Sequence, residues 1–140
     1  MIIDKFLQVS DAQAVTSSAA STDVIDFGQP SPDIGMSDQC SMVITVGESA
    51  TAAGAATVTF SVQDSADNSA WANVVATAAI DKANLAAGQQ IAIPMPTKLR
   101  RYCRVYYTVA NGPLTAGKFS AQVVTGIQQN IAKPDSAKIL

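Results

Sequence analysis

Alternation of apolar and polar residues is the clearest pattern in this sequence. It is most regular over residues 56–63, where Ala56, Val58, Phe60 and Val62 alternate with Thr, Ser and Gln side chains. A period of two places one set of side chains on each face of an extended chain, so this segment is predicted to be a half-buried β-strand.

The same alternation predicts several more strands. They lie at residues 40–46, 91–95, 101–109 and 118–125, with a less regular candidate at 71–79. Turn-forming residues separate them, and residues 81–88 are predicted to form a single helical turn ending at Gly88. Short strands at this spacing, without long helices between them, predict an all-β antiparallel β-sandwich or jelly roll.

The first part of the chain lacks a steady period. We predict that residues 1–38 form an extended N-terminal arm with a candidate short strand at 24–27, that residues 39–126 form the sandwich core, and that residues 127–140 form a C-terminal tail. We expect the arm to pack on its own domain or on a neighbouring subunit. Its apolar side chains have no core of their own: Ile2, Ile3, Phe6, Leu7 and Val9.

Charge is scarce and unevenly distributed. Charged residues make up 14% of the 140 residues, below the usual value of about 25%, and a neutral surface favours association. Residues 1–81 carry ten acidic and one basic side chain, whereas residues 82–140 carry eight basic and one acidic, giving −9 and +7. Either the strands interleave and mix these charges, or the protein has two faces of opposite sign that suit docking between subunits.

The sequence contains no histidine, which excludes Ser-His-Asp and Cys-His catalysis and histidine-based zinc sites. Gly112–Lys118 matches the start of a phosphate-binding loop. However, Phe119 stands where Ser or Thr would bind magnesium, and an alternating strand follows instead of a helix. We therefore predict a plain hairpin loop here, and a protein without enzymatic activity or cofactor.

The cysteines and the N-terminus bear on the cellular compartment. Cys40 and Cys103 are predicted to be small, reduced core residues, because two cysteines are too few for a disulfide framework. The start of the chain lacks the basic and apolar regions of a signal peptide, and no apolar run is long enough to span a membrane. We expect synthesis in a cytoplasm and no membrane partner.

One basic cluster, interleaved with tyrosines, is the main candidate binding feature. It consists of Lys98, Arg100, Arg101 and Arg104. It is interpreted as a solvated strand face, as a docking patch for acidic residues of a neighbour, or as a site for single-stranded nucleic acid. Nucleic acid is disfavoured because the chain is net acidic. Together with apolar residues of the N-terminal arm, the cluster supplies the candidate protein-docking residues. They are Ile2, Ile3, Phe6, Leu7, Lys98, Arg100, Arg101 and Arg104.

Several segments, taken in order along the chain, resemble the capsid cement (decoration) proteins of tailed double-stranded DNA bacteriophages. The resemblance spans about residues 1–126 and does not include the tail. It rests on residues 1–7 (Met-Ile-Ile-Asp-Lys-Phe-Leu), 10–15, 22–28 (Thr-Asp-Val-Ile-Asp-Phe-Gly), 33–35, 53–60, 100–102, 107–109 and 112–118.

The resemblance implies a jelly roll on the exterior of the virion capsid that clamps neighbouring major capsid protein subunits and stabilises the expanded head. It also implies a homodimer or homotrimer at a symmetry axis, without enzymatic activity, cofactor or nucleic-acid partner. The main alternative is a carbohydrate- or receptor-binding β-sandwich of a phage tail or cell surface, with Trp71 as its candidate contact. An enzyme, for which only acidic residues argue, is the third interpretation.

Overall fold

A computed structural model describes residues 3–32, 34 and 40–127 as two packed antiparallel β-sheets. The strands are β1 (Gln8–Ala14), β2 (Ala19–Ala20), β3 (Ile25–Asp26), β4 (Cys40–Thr51), β5 (Thr57–Ser65), β6 (Ala72–Ala76), β7 (Ile80–Asp81), β8 (Gln90–Pro94), β9 (Tyr102–Ala110) and β10 (Ala116–Thr125). Two short 3-10 turns, at Lys5–Leu7 and Lys82–Asn84, complete the described part. The predicted all-β antiparallel sandwich is confirmed.

The strand order is that of a jelly roll. The four-stranded sheet has the order β1-β10-β4-β8. In the six-stranded sheet, β9 and β5 are central, β2 and β3 both pair with β9, and β6 and β7 both pair with β5. The chain crosses between sheets at most connections, and the first and last strands are neighbours, as two interlocked Greek keys require.

Two loop predictions need correction. The segment after β9 is not a hairpin loop, because β9 and β10 belong to different sheets and the chain crosses between them here. As predicted, this segment leads into a strand, β10, and not into the helix that a phosphate-binding loop would require. The helical turn predicted at 81–88 is shorter, a 3-10 turn at Lys82–Asn84 whose first free amide, that of Ala83, is capped by the Asp81 side chain.

Three aromatic rings lie at the centre of the core. Phe60 and Tyr107 come from the six-stranded sheet and Phe119 comes from the four-stranded sheet, and all three are fully buried. The ring centroids of Phe60 and Phe119 are 5.3 Å apart in an edge-to-face arrangement, and those of Tyr107 and Phe119 are 5.7 Å apart and stacked. Such pairs contribute about 0.5–1.5 kcal/mol beyond the area that they bury.

The structure does not confirm the extended N-terminal arm. Strand β1 pairs with β10, and both β2 and β3 pair with β9, so the segment of residues 8–26 contributes strands to both sheets. Their side chains belong to the core, because Val9, Val15 and Ile25 are buried in the main hydrophobic cluster. This segment therefore packs on its own domain, which was one of the two expected outcomes.

A hydrogen-bonded relay fixes the same segment. The Tyr107 hydroxyl donates to Ser10 Oγ at 2.7 Å, and Ser10 Oγ donates to Gln13 Oε1 at 2.9 Å. Gln13 Nε2 in turn donates to the carbonyl of Ala20 at 2.8 Å. Because buried hydroxyl groups need partners, this relay ties β9 of one sheet to β1 of the other and to β2.

Two truncations test this assignment. Removing residues 1–7 should leave cooperative thermal unfolding intact, because that segment contributes no fully buried side chain among its described residues. Removing residues 1–26 should abolish it, because burial of each lost core side chain contributes about 1.5–3 kcal/mol, against a typical total of about 5–15 kcal/mol. Circular dichroism melts compare the two proteins. A cooperative transition in the protein that lacks residues 1–26 would contradict the placement of β1–β3 in the core.

Candidate protein-docking surface

An apolar patch lies at the N-terminal end of the molecule, before β1. Phe6 is 90% exposed and Ile3 is 50% exposed, whereas Leu7 is half-buried against the core. The turn that carries Phe6 is held locally, because the Asp4 carboxylate accepts the Phe6 backbone N–H at 2.9 Å and the Asp4 carbonyl accepts that of Leu7 at 3.0 Å. The backbone of this turn is thus fixed by hydrogen bonds, and the Phe6 side chain that it carries is exposed to solvent.

A shallow cleft of about 330 Å³ adjoins this turn. Its lining combines the turn with the start of β4 and the end of β10: Asp4, Leu7, Cys40, Val123, Val124 and Thr125. Ile127, two residues after Thr125, is 51% exposed. We call Ile3, Phe6, Leu7 and this cleft the apolar patch. Exposed apolar surface next to a concave site is a common mark of a protein interface.

The predicted docking residues do not form one site. Ile3, Phe6 and Leu7 belong to the apolar patch, whereas Ile2 lies outside the described residues. Lys98 is exposed, just before β9. The three arginines of the basic cluster each contact other residues of this chain, in three different ways.

Arg100 is held by a buried carboxylate. The Asp64 side chain is only 6% exposed. It accepts hydrogen bonds from the Arg100 backbone N–H at 2.9 Å and from the Arg100 guanidinium at 2.6 and 3.0 Å. Burial alone would raise the pKa of Asp64, but these hydrogen bonds and the charge of Arg100 outweigh it and lower the pKa. The pair therefore fastens the loop that precedes β9 to strand β5.

Arg101 forms a fork-shaped pair with Asp26. Its Nε and one terminal N–H donate to the two carboxylate oxygens at 2.8 and 2.9 Å. These side-chain hydrogen bonds, together with the backbone N–H of Gly28, lower the pKa of Asp26 to about 2. The pair joins β3 to the residue that precedes β9 on the surface.

Arg104 differs from both. Its guanidinium carbon lies 4.0 Å from the centroid of the Trp71 ring and 5.9 Å from that of Tyr106. Its Nε donates to Gln63 Oε1 at 2.8 Å. Among the described residues, no carboxylate lies within ion-pair distance of this arginine. Burial lowers its pKa, because partial desolvation disfavours the charged form.

The opposite charges of the two halves of the sequence mix in the fold. Three of the four ion pairs among the described residues join the acidic half to the basic half: Asp64–Arg100, Asp26–Arg101 and Glu48–Lys118. This is the result expected from interleaved strands, and it disfavours two faces of opposite sign.

Trp71, the candidate sugar contact of the alternative interpretation, is half-buried. The guanidinium of Arg104 covers one face of its ring. A sugar stacks on an open aromatic face, so this contact leaves at most one face of Trp71 for the alternative interpretation.

Other chemical features are sparse in the described part of the chain. Cys40 and Cys103 are free thiols, and burial raises the pKa of Cys103 to about 12, so the inert thiol form dominates. No group of three His, Cys, Asp or Glu side chains in that part of the chain could hold a metal ion. None of the described helical turns has the length and apolar character needed to cross a membrane.

Sequence reasoning missed two features of this surface. One is the lining of the cleft, where Cys40 and Val124 meet the N-terminal turn. The other is the contact of Trp71 with Arg104. Neither carries a local sequence signal, because each joins residues that are distant along the chain.

Comparison with known proteins gives a family match. The model of the Bbp16 family matches residues 9–123, which is more than half of the chain. No curated protein matches the sequence.

The Asp64–Arg100 pair makes a pH-dependent prediction. Replacing Asp64 with Asn should lower the free energy of unfolding by about 2 kcal/mol at pH 7, because it weakens the charge-assisted hydrogen bonds that the buried Asp64 side chain accepts from Arg100. Since the folded-state pKa of Asp64 is lowered, this stabilisation is present above the unfolded-state value of about 3.9 and is lost as the pH falls through the folded-state value. The difference in the free energy of unfolding between wild type and variant should therefore become smaller below about pH 4. We call this difference the stability gap.

Urea denaturation between pH 2 and pH 7 measures the stability gap. Asp26→Asn is the matched control, because it breaks an exposed pair and should cost much less. Equal losses in the two variants at pH 7, or a stability gap for Asp64→Asn that stays constant down to pH 2, would contradict the role assigned to the buried pair.

Proposed function

Because the chain belongs to the Bbp16 family, which is phage-associated, we propose that it is a structural virion protein of the capsid exterior. In this proposal it binds the outer surface of a phage head and cements neighbouring major capsid protein subunits. It acts as a homodimer or homotrimer at a symmetry axis, without catalysis or cofactor. The resemblance of the sequence to capsid cement proteins and the jelly-roll fold both support this proposal.

The exposed Phe6 side chain is the observation that carries the proposal. A phenyl ring that is 90% exposed in the free chain leaves apolar area in water. Burying it against a partner recovers roughly 25 cal/mol per Å². The adjoining cleft offers a complementary recess for a side chain of the partner. Aromatic anchors and the pockets beside them are where binding energy concentrates in protein interfaces.

Mass action supplies the physical logic of cementing. A protein that binds the assembled, expanded shell but not its separate subunits stabilises the shell by RT ln(1 + [L]/Kd). Docking across a subunit boundary adds a link that must break before the subunits separate. Repetition over a symmetric lattice multiplies this effect, and an oligomer adds avidity because its second contact is intramolecular.

Binding to undecorated heads tests the proposal. The heads come from a phage that lacks a functional copy of this gene, and binding is measured by co-sedimentation with the purified protein. We expect saturable binding and a higher temperature of DNA release in decorated heads than in undecorated ones. A protein that stays in the supernatant at every concentration, or one that binds without raising the release temperature, would contradict the proposal.

Substitution of Phe6 tests the docking residue. Phe6→Ser should weaken binding to heads about tenfold or more, while the melting temperature stays unchanged because the side chain is exposed. Phe6→Leu is the matched control, since it keeps an apolar side chain and should restore most of the binding. Wild-type binding by Phe6→Ser, or equal losses in both variants, would remove Phe6 from the interface.

A further inference from the structure

The outer face of the six-stranded sheet carries a second cluster that the apolar patch does not include. Along β9, Cys103, Val105 and Tyr107 are buried in the core, so the alternating residues Arg104 and Tyr106 point away from it. Trp71, just before β6, lies against the guanidinium of Arg104. We call Trp71, Arg104 and Tyr106 the arginine–aromatic cluster.

The orientation of the guanidinium is fixed by a chain of hydrogen bonds. Arg104 Nε donates to Gln63 Oε1 at 2.8 Å, and Gln63 Nε2 donates to Asn73 Oδ1 at 2.8 Å. The contact with the Trp71 ring, whose centroid lies 4.0 Å from the guanidinium carbon, further restricts this side chain. An arginine that is held in this way loses little side-chain entropy when it binds a ligand.

The charge of Arg104 is uncompensated within the described part of the chain. Arg100 and Arg101 each have a carboxylate partner, but Arg104 has only an amide oxygen and two aromatic rings. A partly desolvated cation without an anion is unfavourable for the free protein. Binding of an anion beside Arg104 is therefore expected to be favourable, because the anion supplies the opposite charge that this side chain lacks in the free protein.

The chemistry of the cluster indicates what that anion is. The terminal N–H groups of a guanidinium match the two oxygens of a carboxylate. Trp, Tyr and Arg are also the residues most enriched at the energetic centres of protein interfaces. A nucleic acid would need several phosphate contacts, whereas the other two arginines of this region are already paired with carboxylates. A sugar would find one face of Trp71 covered.

We propose that the arginine–aromatic cluster is a docking site for an aspartate or glutamate side chain of the partner protein, which binds the guanidinium of Arg104 beside the rings of Trp71 and Tyr106. This inference rests on the proposed function in taking that partner to be the major capsid protein. It adds a specific charged contact, on the outer face of the six-stranded sheet, to the apolar contact of Phe6.

Binding to undecorated heads supplies the first test. Arg104→Gln removes the charge, and Arg104→Lys keeps the charge but loses the fork. Both should weaken binding at least tenfold, and the salt dependence of binding should become shallower for Arg104→Gln. Lys118→Gln is the control for loss of one positive charge, because Lys118 lies on the other sheet and pairs with Glu48. It should bind within twofold of wild type.

Wild-type binding by Arg104→Gln, or an equal loss in Lys118→Gln, would overturn the inference while leaving the cement function in place. Arg104→Lys keeps a positive charge at this position, so it separates loss of the fork from loss of the charge. If Arg104→Lys binds at the wild-type level, a positive charge alone is sufficient. That result would contradict the proposed pair of hydrogen bonds from the guanidinium to the carboxylate.

A second test does not need the capsid, so it decides the inference even if the cement function fails. The full-length, isotope-labelled protein is titrated with an acetylated and amidated hexaglutamate peptide. The NMR signals of Trp71 Nε1–H and Arg104 Nε–H should shift, and the Trp71 shift should disappear in Arg104→Gln. A hexaglutamine peptide and maltohexaose are the controls. No shift with hexaglutamate, or a shift with maltohexaose alone, overturns the inference, and the second result reassigns the cluster to sugar binding.

Discussion

The contact of three aromatic rings between the two sheets is the interaction on which the rest of this structure depends. Phe60 and Tyr107 extend from the central strands of one sheet and meet Phe119 from the other. The hydroxyl of Tyr107 then reaches Ser10, so the same ring that fills the core also fixes β1. With the sheets held together in this way, strands β4 and β10 of one sheet and β9 of the other, with the loops beside them, position the two candidate docking features.

Strand alternation made the central part of the fold predictable. The strands predicted at 40–46, 101–109 and 118–125 correspond to β4, β9 and β10, because each has one apolar face that lies on the core. The N-terminal segment was not predictable in this way. Strand β1 contains register shifts and a residue with positive φ, Ala12, which break the period of two. Its partner strand also lies about a hundred residues further along the chain.

The candidate site was predictable in residue type more than in arrangement. The exposure of Ile3 and Phe6 agrees with an apolar N-terminus that lacks a core of its own. The basic cluster looked uniform in sequence, but the fold divides it: two arginines pair with Asp64 and Asp26, and Arg104 stacks on Trp71. A sequence shows neighbours along the chain, whereas an ion pair between β5 and the loop before β9 depends on strand register, which the sequence pattern did not determine.

Electron cryo-microscopy of undecorated heads incubated with the purified protein tests the central claim most directly. We expect added density on the outside of the shell, over boundaries between neighbouring capsid subunits. In that density the jelly roll should contact the shell through the apolar patch around Phe6. Absence of added density at saturating protein, or a docked jelly roll that leaves Phe6 and Arg104 both in solvent, would contradict it.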